Sequence, residues 1–258
     1  MINLKQKLQK KELTIGSWIS IGHPNVAEIM AQSGFEWLTI DLEHSAISIS
    51  QAQELIRVIE LSDVVPLVRI GENDPTIIKR VMDAGAHGII VPMVNSKEEA
   101  EAAVSAMRYP PVGKRGVGLS RAQKYGYGFD DYRKWVENDS VLVVQIEHIN
   151  AVENLEGILR TPGIDAFMVG PYDLSGSLGI PGDFTHPKMI EALNEIKRIS
   201  EKMNATSGFH VVFPQKESVN QKIKDGYSFI AYGVDFIYIG DSCRRALKEI
   251  DGNRFAEA

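Results

Sequence analysis

One cysteine stands in the whole chain, Cys243. No disulfide can form within the chain, which fits a reducing compartment. No apolar run is long enough to span a bilayer, and the opening MINLKQKLQKKELTIG has no apolar signal-peptide core. A cytoplasmic protein with no membrane partner is therefore expected. An excess of basic charge is also missing. The formal net charge is −6, which argues against nucleic acid as a partner, because phosphate binding needs a basic face. The only clustered lysines run from Lys5 to Lys11, broken by apolar residues, and read as a solvated helix face. There is no low-complexity segment, no linker and no residue-level repeat. No Walker-type phosphate loop occurs, and GVGLSRAQ is too loose for a dinucleotide fingerprint.

What remains is a globular composition, 44% hydrophobic and 24% charged over 258 residues, long enough for a large core. Short apolar runs alternate with longer amphipathic segments. The strand candidates are TIGSWISI, EWLTID, VVPLVRI, HGIIVPMV, SVLVVQIE, IDAFMVG, TSGFHVVF and YSFIAYG. Near-continuous apolar strands imply a parallel sheet covered by helices on its outer face. Several of the helical segments between them, such as SISQAQELIRVIELS and DPTIIKRVMDAG, open on Asn, Asp or Ser, and two close on Gly. Eight β/α units in a chain of about 250 residues favour an α/β fold of the closed (β/α)₈ barrel type over an open sheet. A single barrel domain over residues 1–258 is expected. One connection, residues 109–139, is unusually long, and is either a lid or a surface excursion with a short helix at FDDYRKW.

In such a barrel the active site lies at the carboxyl ends of the strands. VVQIEHINA places Gln145 and Glu147 on one face of a strand end, since side chains alternate. The second strand ends in IDLEHS, with Asp41, Glu43 and His44, and the third ends in Arg69. The sixth runs FMVGPYDLSGS, with Asp173 just beyond it. Each alone is an ordinary solvated loop residue. Together they form a polar rim. Glu147 and Asp173 are hard oxygen ligands suited to Mg²⁺ or Mn²⁺. GPYDLSG offers backbone N–H groups around Gly170 for a carboxylate, Arg69 can serve an oxyanion, and His44 is a candidate base. Asp83 orients His44 if the third long helix ends nearby, and is otherwise a plain helix-end residue. No strand run contains a lysine, so a Schiff-base aldolase has no obvious nucleophile.

The blocks GFEWLTIDLEHS, PLVRIGENDPTIIKRVMDAGAHGIIVPMV, EEAEAAVSAMRYPPVGKRGVG, VVQIEH and VGPYDLSGSLG together resemble the HpcH/HpaI aldolase family, from Gly16 to about Arg245. The resemblance implies a (β/α)₈ TIM barrel of the phosphoenolpyruvate/pyruvate type, acting as a metal-dependent pyruvate aldolase on a 2-oxo acid and an aldehyde. It implies metal ligands at Glu147 and Asp173 for Mg²⁺, Mn²⁺ or Co²⁺, an enolate-stabilising Arg69 and a His44/Asp83 dyad. It further implies a substrate site at Trp18, Gln145, Gly170, Pro171, Tyr172 and Asp173. It also implies a hexamer, a trimer of dimers with the last helix exchanged between subunits. Two stretches depart from the family pattern, GFHVVFPQ after the seventh strand and GVGLSRAQKYGYG at 116–128; both are expected to face the aldehyde half of the substrate. The rival readings are a lyase of the citrate-lyase β-subunit type acting on a CoA thioester, and a non-catalytic sugar-acid-binding barrel.

Overall fold

The computed structural model describes residues 1–250. All eight expected strand runs hold a strand: β1 (Thr14–Ile19), β2 (Trp37–Asp41), β3 (Val65–Arg69), β4 (Gly88–Val91), β5 (Val141–Ile146), β6 (Ala166–Val169), β7 (Ser207–Val211) and β8 (Phe229–Val234). They pair in parallel in chain order and close β8 onto β1. The helices are α1 (Leu4–Gln9), α2 (Pro24–Ala31), α3 (Ile49–Leu61), α4 (Pro75–Ala84), α5 (Lys97–Met107), α6 (Phe129–Asn138), α7 (Ile149–Glu153), α8 (Leu155–Leu159), α9 (Pro171–Ser177), α10 (Pro187–Lys202), α11 (Lys216–Lys224) and α12 (Asp235–Ile250). The result is a (β/α)₈ barrel.

Strand alternation sorts the core into two layers. Ile19, Leu38, Ile40, Val68, Ile89, Val144 and Phe209 point outward and pack under the helices. Trp18, Trp37, Leu67, Ile90, Val143, Met168, Phe229 and Ala231 fill the barrel interior. Trp37 and Phe229 stack at 4.4 Å inside it, and Gly16 is small because any Cβ there would strike the Trp37 ring. Local signals fix the helix starts. Ser48 and Gln51 form a capping box on α3, and Asp74 caps α4 ahead of Pro75. Three imidazoles, His23, His148 and His186, cap α2, α7 and α10 by accepting a backbone N–H at Nδ1. His148, next to Glu147, is thus a helix cap.

The lysine run is not wholly solvated. Lys5 is buried beneath the barrel, where Nζ lies 3.2 Å from Asp165 and donates to the Ser140 carbonyl at 3.1 Å. Leu4 and Leu8 of the same short helix join the interior cluster. Lys10 and Lys11 are exposed, as a solvated face requires, but Lys5 is not, because α1 plugs the amino end of the barrel.

The long connection also has a definite place. Ser120 Oγ donates to the Asp83 carbonyl at 3.0 Å, Arg121 Nη1 to the Ala84 carbonyl at 3.2 Å, and Tyr132 Oη to the Met82 carbonyl at 3.0 Å. Arg121 also pairs with Glu60 near the end of α3. Helices of this fold run opposite to the strands, so these helix ends mark the amino face. The segment is therefore not a lid over its own chain's rim, and 116–128 does not face a substrate held in the same chain. The expected short helix at FDDYRKW is α6. At the other terminus, α12 starts against its own barrel: Asp235 Oδ2 accepts the backbone N–H of Ser20 (2.9 Å) and Ile21 (2.7 Å). From Asp241 to Ile250 every residue is exposed.

Candidate active site

Arg69 is the centre of the rim. Its Nε donates to Asp41 Oδ1 at 2.8 Å and its Nη2 to Asp41 Oδ2 at 2.7 Å, a bidentate pair between adjacent strands in register. Nη1 lies 3.0 Å from Glu43 Oε2, and the guanidinium sits 4.3 Å from the centre of the Trp18 ring. Burial would push the Asp41 carboxyl up, but hydrogen bonds and charge from Arg69 outweigh it and hold Asp41 below the usual range. N–H groups remain on both terminal nitrogens of Arg69, since a guanidinium carries five donors. Asp41 was legible as a rim residue; its work as the anchor of Arg69 was not.

Glu147 follows β5 and is buried. Oε1 accepts the Met93 N–H at 2.7 Å and Oε2 accepts from Gln145 Nε2 at 3.1 Å. Burial pushes its carboxyl up to about 7, against the Met93 bond, and the charges of Glu43 and Asp173 add to the push. Glu43 is raised by burial too, with Arg69 and His44 opposing and Asp41 and Asp173 reinforcing. Four carboxylates, Asp41, Glu43, Glu147 and Asp173, thus crowd one rim, and Asp41 is the one held by two bonds from Arg69. Among the described residues, Gln145 Oε1 is buried without a partner. This donor set of hard oxygens, with an orphaned amide oxygen and mutually repelling carboxylates, fits a divalent cation. Among the described residues no three His, Cys, Asp or Glu side chains are placed to hold a metal by themselves; Mg²⁺-type sites complete their shell with water and substrate. Met93, which sequence reasoning missed, supplies its N–H from a left-handed backbone (φ 52°). Such a conformation costs about 1–2 kcal/mol in a non-glycine residue, and nothing in PMVN announces it.

The β6–α9 turn differs in detail from expectation. The Gly170 N–H is not free, because it donates to the Ile146 carbonyl at 3.1 Å. Gly170 is needed for space: a Cβ there would come within 2.5 Å of Glu147 Oε2. The N–H groups open to an anion belong instead to Tyr172 and Asp173, in the first turn of α9, which have no partner within the helix. Pro171 opens that helix and has no N–H to offer. Tyr172 is half-exposed and meets Phe184 edge-on at 4.9 Å.

His44 is 65% exposed, with Nε2 3.8 Å from Glu43 Oε2. Asp83 is elsewhere. It lies in the last turn of α4, at the amino face, and accepts from Arg115 Nη2 at 2.5 Å and Gln123 Nε2 at 3.1 Å. A helix of this length spans about 15 Å, so the expected dyad does not form within one chain. A His44–Asp83 pair can arise only between two copies. Sequence reasoning also missed His210. It points into the barrel from β7, its ring 5.2 Å from Trp18, and its Nε2 lies 3.3 Å from the Gly233 carbonyl.

Fold and rim define a barrel enzyme whose acidic mouth and pinned arginine suit chemistry at a carbonyl carbon. The chain belongs to the HpcH/HpaI aldolase/citrate lyase family, whose pattern matches residues 14–241. It is 36% identical to the 2-keto-3-deoxy-L-rhamnonate aldolase of Escherichia coli K12, over 94% of this chain and 91% of that one. Its structure is similar to that of an HpcH/HpaI aldolase/citrate lyase family protein from Burkholderia cenocepacia J2315, with TM-score 0.90, 31% identity, and 97% and 99% of the two chains covered. It is also similar to the citrate synthase SbnG, with TM-score 0.84, 27% identity, and 97% and 99% covered. The protein is a carbon–carbon lyase.

Proposed function

We propose that this enzyme is a divalent-metal-dependent aldolase that reversibly cleaves a 4-hydroxy-2-oxo acid of the 2-keto-3-deoxy type to pyruvate and an aldehyde. The observation that carries the reading is the crowded carboxylate rim: Glu147, held by burial at about 7 beside Asp173 and Glu43, stands next to an arginine pinned for an anion. Glu147 and Asp173 would hold Mg²⁺, Mn²⁺ or Co²⁺, which supplies Lewis-acid polarisation of the 2-oxo group when bound.

The chain's own groups account for the rest. The remaining Arg69 N–H groups donate to the oxygen that becomes negative as the C3–C4 bond breaks, so they act mainly on the transition state. The pairing with Asp41 means that no reorientation is needed at that moment. The backbone N–H groups of Tyr172 and Asp173 receive the substrate carboxylate at a helix start. Gln145 hydrogen-bonds substrate through its unpartnered oxygen when a hydroxyl is presented to it, and Trp18 walls the inner side. His44 takes the proton from the C4 hydroxyl, oriented by Asp83 of a second copy. That arrangement requires a homo-oligomer, and the reading includes a hexamer, a trimer of dimers with exchanged terminal helices. The apolar residues Leu247 and Ile250 on the exposed end of α12 and Val117, Leu119 and Tyr127 on the long connection support it.

Removal of metal by chelator should abolish pyruvate release from a panel of 2-keto-3-deoxy acids, and Mg²⁺, Mn²⁺ or Co²⁺ should restore it. Full activity in excess chelator, or borohydride trapping of a pyruvate adduct, would refute the reading. Membership of a family that joins aldolases with citrate lyases supports one second reading, a lyase of the citrate-lyase β-subunit type acting on a CoA thioester. Retention of CoA by the purified protein would support that reading instead.

A further inference from the structure

His210 belongs to no role assigned so far, yet it stands in the mouth. It projects inward from the carboxyl half of β7, between Gly208 and the end of the strand, while its neighbours Phe209 and Val211 face the helices. Trp18 lies under its ring, and the same Trp18 carries Arg69 on its face. His210 therefore shares a wall with the groups that meet the oxo acid.

Its chemistry is fixed by one contact. A carbonyl oxygen only accepts, so the Nε2 facing Gly233 must carry the hydrogen. Burial lowers its pKa to about 4, against the Gly233 bond, with the charge of Arg69 adding and Asp41 opposing. The ring is thus neutral, in one tautomer, and Nδ1 presents a lone pair. Among the described residues that atom has no hydrogen-bond partner, and the ring that carries it projects inward at the carboxyl half of β7 against Trp18. An uncharged acceptor asks for a donor. A substrate built of carbon, hydrogen and oxygen offers only hydroxyl groups as donors at neutral pH. A carboxylate there would set one lone pair against another beside the Asp41 charge.

We infer that His210 is a specificity-determining residue whose Nδ1 accepts a hydrogen bond from a substrate hydroxyl beyond the one that is deprotonated at C4, so that the enzyme selects polyhydroxylated oxo acids over deoxy and dicarboxylic analogues. The inference rests on the aldolase reading above and narrows its substrate class.

The test compares two cleavage substrates in the metal-loaded oligomer, a 2-keto-3-deoxy sugar acid and a 4-hydroxy-2-oxo acid of equal length without further hydroxyls. The wild-type enzyme should prefer the hydroxylated compound in kcat/KM. His210→Leu should lower that preference about tenfold, the size of one lost hydrogen bond in a site built for it. His210→Asn, whose side-chain oxygen can stand in for Nδ1, should recover part of it. An unchanged preference in folded His210→Leu, or a preference lost equally in both variants, would overturn the role of His210 while leaving the aldolase reading standing. A wild-type enzyme that cleaves neither compound with metal present would remove both.

Discussion

Asp41→Asn is the sharpest perturbation of the site. It keeps the shape of the side chain and removes the charge that fixes Arg69. Asp41 is only 3% exposed and holds Arg69 by two bonds of 2.8 and 2.7 Å. Breaking a buried pair by removing one partner costs about 3–5 kcal/mol. The amide retains one acceptor, so about 3 kcal/mol is expected. In a domain of this size that lowers Tm by about 6–12 °C. The larger effect is on turnover. A guanidinium free to shift by about 1 Å should cost about 10²-fold in kcat, with cation affinity close to wild type because Asp41 is not among the proposed ligands. The pH dependence has a fixed sign. Asp41 is held below the usual carboxylate range, so its stabilisation is present above that range and fades as pH falls through the lowered value. The variant should lack that acid limb. Steady-state kinetics, cation titration and melting curves across pH measure all three. Turnover within about threefold of wild type would refute the claim that Asp41 positions Arg69.

His44→Ala should lose aldol cleavage more than it loses deuterium exchange at C3 of pyruvate, since its proton is that of the C4 hydroxyl; equal losses in the two assays would reassign it. His210 titrates at about 4 when folded and near 6.5 when unfolded, so the unfolded state binds more protons between those values and stability falls on acidification. Replacing it by Leu should remove about 3 kcal/mol of that acid sensitivity, seen as a flatter denaturation midpoint from pH 6.5 to 4; parallel curves would contradict the buried neutral ring. Glu147→Ala should weaken cation binding itself, and titration calorimetry giving wild-type affinity would remove Glu147 from the ligand set. Light scattering at micromolar protein should report an oligomer, with a hexamer expected and a monomer contradicting the shared His44–Asp83 pair.

The barrel was legible because each strand is buried on both faces and therefore reads as an apolar run. The rim was legible because Asp41, Glu43, Arg69, Gln145, Glu147 and Asp173 gather at or just beyond the carboxyl ends of those runs. What the sequence hid depends on contacts between distant segments. Asp41 and Arg69 meet through strand register, Met93 reaches Glu147 through one left-handed residue, and Lys5 is buried because a short helix folds under the barrel. Asp83 is a different case. Helix direction alone puts it at the amino face, and that signal lay in the chain order all along. The β7 departure at GFHVVFPQ was visible as a difference, but the tautomer and stacking of His210 needed coordinates.

The central question for this enzyme is whether its rim makes a pyruvate enolate with a divalent cation. The direct measurement is deuterium incorporation at C3 of pyruvate in D₂O, which needs no knowledge of the aldehyde. Wild-type enzyme with Mn²⁺ or Mg²⁺ should exchange, excess chelator should stop it, and Arg69→Ala should slow it by about 10²–10³-fold with cation binding retained. Exchange that persists in chelator, or no exchange in the cation-loaded wild type, would contradict that chemistry.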